Sequence, residues 1–214
     1  MFRDKPFFWG LMTLLLEALV IVTVVPSSFI DKINSMERKW IEATYSESSM
    51  RWLDEKTNEI HYKITRESGL VDWMTWMFIP SEEARAREGR GMARLGERLW
   101  FPYLESRGKA LDDMLRGLIT RLGSTAMWAP LILLIAIPSI WDGLVERRIK
   151  QHTFKYPSPF IYRHGMNALL VISFLLGVCF FSPVPIPPLV LPIGIMVIVA
   201  VGGIAVVGNM PKRL

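Results

Sequence analysis

Apolar residues in this chain gather into blocks nearly free of charge, and that segregation limits the possible folds more than any motif does. The first block, Phe7 to Val25, follows a basic head with Arg3 and Lys5 and stops at Pro26. As a helix it reaches about 28 Å, close to the ~30 Å of bilayer hydrocarbon. It also exceeds the 7–15 apolar residues of a signal peptide, so it is expected to stay as an anchor. The second block, Thr125 to Trp141, has Trp128 and Trp141 near its ends, where indole rings favour the headgroup level. Two further blocks, Met166 to Ser182 and Leu189 to Gly208, are separated by Pro183, Pro185, Pro187 and Pro188. Those prolines remove donors and clash with preceding carbonyls, so the pair reads as a helical hairpin with a stiff turn. Pro192 falls in the first turn of the last helix, where it is tolerated.

The fold class that follows is an all-α integral membrane protein: four transmembrane helices with a helical periplasmic domain between the first and second. The expected divisions are 1–26 (head and first span), 27–124 (helical domain), 125–142 (second span), 143–165 (basic cytoplasmic loop) and 166–214 (hairpin and tail). In the polar region Ile33, Met36, Trp40 and Ile41 recur at helical spacing, and Leu53, Ile60 and Ile64 mark a second stripe. Gly69 interrupts it, and Leu70 to Ile79 is too short to span. Ser81 then caps a helix carrying Glu82 and Glu83 in its first turn. Pro102 closes that helix, and Leu104 to Leu122 leads into the second span.

Short loops decide orientation, because Lys and Arg beside spans stay in the cytoplasm. Between Asp142 and Gly165 stand Arg147, Arg148, Lys150, Lys155 and Arg163 against Asp142 and Glu146. The head and the tail with Lys212 and Arg213 share that sign, which puts both termini in the cytoplasm of a bacterial inner-membrane protein. Residues 27–124 carry sixteen basic and sixteen acidic residues, so this region is neutral and falls on the periplasmic side.

Few residues suggest chemistry. Glu17, the one ionisable group deep in a span, costs about 2.5–3.5 kcal/mol at the bilayer centre, so it reads either as a polar contact between helices or as a relay. His61, His152 and His164 lack metal-ligand spacing, and Cys179 is a single cysteine inside an apolar run. EGRGMARLGERL lacks the Lys-Ser/Thr pair of a phosphate-binding loop. Its arginines alternate with glutamates, unlike a nucleic-acid stripe. No GxSxG elbow occurs. The chain is therefore expected to be no enzyme, to hold no cofactor or metal, and not to bind nucleic acid directly.

The basic segment joins Arg147, Arg148 and Lys150 to Phe154, Tyr156, Phe160 and Tyr162, a mixture suited to membrane lipids or a protein partner. Trp141-Asp142-Gly143-Leu144-Val145, Arg147-Arg148-Ile149-Lys150, Thr153-Phe154 and Ser158-Pro159 with Tyr162 resemble a four-span membrane protein family of undefined function. That family is encoded in integrating conjugative elements and conjugative plasmids. PSEEARAREGRGM and LGERLW are similar too, so the resemblance covers most of the chain from about Trp73 onward. It implies an accessory or scaffolding component of a conjugative DNA-transfer apparatus of type IV secretion kind. The implied partners are proteins such as the coupling ATPase, and the oligomeric state is left open. The rival readings are an entry-exclusion or immunity protein and a small transporter or channel. The last needs more polar lining than Glu17 offers.

Overall fold

The computed structural model describes residues 6–69, 101–153 and 158–210. The expected Leu70 to Ile79 segment and the arginine-rich helix after Ser81 lie outside the described residues, as do Phe154 and Tyr156. Among the described residues there is no strand, and seven helices follow one another. They are α1 (Pro6–Val24), α2 (Ser27–Thr44), α3 (Glu47–Tyr62), α4 (Phe101–Ala126), α5 (Ala129–His152), α6 (Pro159–Phe181) and α7 (Val190–Val201). A turn of π-helix extends α3 over Lys63–Glu67, and another extends α7 over Gly202–Val207.

Among the described residues three helices are long and apolar enough to cross a membrane: Ala129–His152, Pro159–Phe181 and Val190–Val207. α1 runs for 19 residues and contains a shorter apolar stretch, Gly10–Ile21. Helix boundaries differ from the hydropathy reading: α4 starts at Phe101, with Pro102 in its first turn, and α6 starts at Pro159 where Met166 was expected. The second apolar helix starts at Ala129, after a break at Trp128, and has Pro130 in its first turn. It then continues to His152, so much of the segment read as a basic loop is helix.

The chain divides into two compact units. One comprises Met1–Gly10, Ser124–Phe180 and Ile186–Leu214; the other comprises Leu11–Gly123 and Phe181–Pro185. In the first, α5 and the extended α7 touch through backbone. A Cβ on Gly143 would fall on the carbonyl oxygen of Gly203, and one on Gly203 would stand 2.6 Å from the Ser139 carbonyl. Larger residues point outward, with Leu134 68%, Ile137 66% and Trp141 69% exposed. Lipid solvates apolar side chains as well as protein does, so close backbone approach at small residues is what holds such helices together.

In the second unit α2, α3 and α4 form a three-helix bundle. Ile30 packs with Ala110 and Ile21, and Leu53 closes over Gly123. Ile33 and Ile41 are buried as expected, but Met36 is 38% exposed. On α3 the covered face is Leu53, Thr57 and Thr65, while Ile60 and Ile64 are 42% and 38% exposed. The covered stripe steps by fours from Leu53, and Ile60 and Ile64 each fall one position short of it. Threonines take the place of apolar residues there: Thr65 Oγ1 donates to the His61 carbonyl at 2.7 Å, while Thr57 Oγ1 is buried with no hydrogen-bond partner among the described residues.

Candidate functional site: cationic caps on apolar helices

An α-helix ends with carbonyls that have no N–H to accept, at the negative pole of its dipole. A Lys or Arg in the last turn can meet those carbonyls, but α1, α6 and the extension of α7 carry none there, and neither do α2 and α4. Each of the first three is completed by a cation from another helix. Arg107 of α4 donates from Nη1 to the carbonyls of Thr23 (3.1 Å) and Val25 (2.9 Å), just where α1 ends. Tyr103 Oη donates to the same Thr23 oxygen at 3.0 Å, and its ring lies 5.1 Å from the Arg107 guanidinium. Arg121, fourteen positions further along α4, donates to the Ser182 carbonyl at 2.9 Å and to Val184 at 3.0 Å, in the proline-rich turn after α6. Lys150 of α5 donates to Gly208 O at 3.2 Å and Asn209 Oδ1 at 2.9 Å, at the end of the α7 extension.

Arg121 is the most buried of the three, at 7% exposure. Its Nε and Nη2 also donate to Glu37 Oε2 (3.0 Å) and Oε1 (2.6 Å), and Glu37 is 4% exposed. This two-pronged pairing matches guanidinium to carboxylate geometry. Prolines explain why the turn needs an external donor: they contribute carbonyls but no N–H groups with which to satisfy them.

A second polar contact joins α3 to α4. His61 Nε2 lies 2.9 Å from Asp112 Oδ1 without the alignment of a hydrogen bond, and Arg116 donates to Asn58 Oδ1 at 3.1 Å. Beside them Asp113 Oδ2 is buried with no hydrogen-bond partner among the described residues. Burial pushes the Asp113 carboxyl above its usual range, and the Asp31 charge adds to this.

The residues expected to matter are distributed as follows. Glu17 sits on the covered stripe of α1 with Leu14, Ala18 and Ile21, while Leu11, Leu15 and Leu19 stand 47–61% exposed on the other side. Its Oε2 is buried without a hydrogen-bond partner among the described residues. Lys150 turns inward as a cap and also pairs with Glu146 at 2.7 Å, and Arg147 Nη1 points to Met210 Sδ at 3.9 Å. Arg148 is exposed, Tyr162 is half-buried, and Phe160 is 68% exposed with its ring centroid 3.9 Å from that of His164. The structure thus sorts the basic segment into inward cations and outward groups. Arg107, Arg121, Glu37 and Gly203 were not singled out from the sequence, and Gly143 only as part of the segment that carries the family resemblance. The signal available for the arginines was two apolar helices, α1 and α6, without a cation in the last turn, a feature that α2 and α4 share.

No group of three His, Cys, Asp or Glu residues that could hold a metal occurs among the described residues. The polar network is suited to holding helix ends.

The family described as IncC plasmid conjugative DNA transfer protein DtrJ-like matches residues 29–209, which contain every polar cap named above except the α1 carbonyls. The chain belongs to the DtrJ-like family. Membership makes it a protein of conjugative DNA transfer and agrees with the resemblance to proteins of conjugative elements. No curated protein and no solved structure matches the chain.

Proposed function

We propose that this DtrJ-like protein is a non-enzymatic accessory or scaffolding component of a conjugative DNA-transfer apparatus, held in the bacterial inner membrane by four helices with both termini cytoplasmic. The observation that carries the reading is the family match across residues 29–209, joined to three helices of spanning length. We take α1, a 19-residue helix whose apolar stretch is Gly10–Ile21, as the fourth span. Its end and the turn after α6 are held by the same helix, α4, whereas the end of α7 is held by α5. That pattern supports an even number of crossings. On the side of the positive segments, Arg148 and Phe160 flank residues 154–157 as exposed groups for a protein of the transfer machinery, such as the coupling ATPase.

Crosslinking and affinity purification from donor cells carrying the intact element tests this. Coupling ATPase or secretion-channel subunits should be enriched with the unaltered chain and depleted with Phe160→Ala combined with Arg148→Ala at equal protein level. Truncating an interface anchor costs about 2 kcal/mol or more, roughly thirtyfold in affinity, and conjugative transfer should fall accordingly. Unchanged transfer by a strain lacking the protein would sink the reading.

A further inference from the structure

α4 turns about 100° per residue, so Arg107, Met114 and Arg121 lie on one stripe. That stripe holds the Thr23 and Val25 carbonyls at one point and the Ser182 and Val184 carbonyls about 21 Å further along the axis. Both sets mark the ends of apolar helices, where, on the proposed crossings of α1 and α6, the chain leaves the hydrocarbon. A helix pinned at two such points runs along the membrane surface instead of standing away from it.

The other faces of α4 then assign directions to α2 and α3. Asp112, Arg116 and Gly123, on the side opposite the arginine stripe, meet His61, Asn58 and Leu53 of α3. Ala110, Asp113 and Gly117, on the flank, meet Ile30 and Asn34 of α2. α3 therefore lies on the side away from the bilayer, and α2 lies beside α4. On α2, Arg38 reaches up to Asp54 of α3 and Asn34 reaches across to α4. The remaining side, toward the bilayer, carries Phe29 (49% exposed), Met36 (38%) and the half-buried Trp40. The exposed Lys32 and Lys39 flank them. Apolar residues bordered by lysines are the surface of a helix that lies in an interface, with its rings and thioether at the acyl boundary and its ammonium groups among phosphates.

We infer that the Phe29–Met36–Trp40 face of α2, with Lys32 and Lys39, is a docking surface for the anionic headgroup layer of the bilayer that α1 crosses. The inference rests on the proposed membrane crossings of α1 and α6, and the test separates it from the crossing of α1. The full chain, with Cys179→Ser, is reconstituted in phosphatidylethanolamine–phosphatidylglycerol vesicles with a fluorophore on a single cysteine at position 15, 36 or 56. Quenching by brominated acyl chains is then read for each. Leu15 is exposed on α1, and Lys56 lies on the outer side of α3. Position 36 should be quenched several-fold more than position 56 and less than position 15. Lys32→Glu with Lys39→Glu should remove most of the quenching at 36 while leaving that at 15 intact. Quenching at 15 with position 36 as dark to the quencher as 56 would overturn the docking surface and leave the crossing standing. No quenching at 15 would overturn both.

Discussion

The two compact units solve helix packing by opposite means. Where α5 meets the extended α7, contact is made by absent side chains: Gly143 and Gly203 bring backbone against backbone, while Leu134 and Ile137 face outward. Where α2, α3 and α4 meet, contact is made by side chains. Ile30, Ile33, Ile41, Leu53 and Ile119 are buried, and the Glu37–Arg121 pair lies among them. On the proposed membrane placement of α5 and α7, the surrounding solvent accounts for the contrast. In water, removing apolar area is worth about 25 cal/mol per Å², so bulky residues turn inward. In lipid that gain vanishes, and fit between backbones remains.

The largest expected effect concerns the ion pair. Arg121→Ala leaves a carboxylate buried without its guanidinium and strips the donors from the proline turn, so unfolding of the full chain in detergent should become easier by about 3–5 kcal/mol. Arg121→Met together with Glu37→Met removes both charges at similar volume and should recover a large part of that loss. A single variant as stable as the unaltered chain would mean that side-chain pairing is dispensable in this unit.

Next in size is the glycine crossing. Gly143→Ala must push the Gly203 backbone away and should cost about 1–3 kcal/mol in resistance to a denaturing detergent. Gly108, on α4, has nothing within 4 Å of an added Cβ, so Gly108→Ala should instead stabilise by up to about 1 kcal/mol through helix propensity. Equal responses at both glycines would erase the distinction between the two modes of packing.

The smallest effect sharpens the polar side of the contrast. Because the fold raises the Asp113 pKa, it favours the protonated acid; the contribution is fully present below the unfolded pKa and is lost as pH rises through the folded one. Asp113→Asn keeps the shape without the charge, so its melting temperature should exceed the parent's at neutral pH. The two should converge at pH below the usual carboxylate range. A variant less stable than the parent at neutral pH would show that the carboxylate has a favourable partner there.

Several features were readable from residue order because they depend on local properties. Helical content, the apolar segments and the proline hairpin follow from hydropathy, periodicity and the missing N–H of proline, none of which needs a distant partner. Even there, Met36, Ile60 and Ile64 counted as inward residues, whereas Glu37, Thr57 and Thr65 occupy buried positions. Periodicity locates a face only approximately: Glu37 and Thr65 are held inside by hydrogen bonds, whereas the buried Thr57 hydroxyl has no partner among the described residues. The caps were of another kind: Arg107 is more than 80 positions from the carbonyls it serves, and Arg121 about 60 from its own. In sequence they look like ordinary charges of a neutral domain, as Lys150 looks like one more positive charge beside a span. Composition settled that charge must stay out of the hydrocarbon. Only the tertiary structure decided which cations would complete which helix ends, because an unsatisfied carbonyl can be met by any donor the fold brings within about 3 Å.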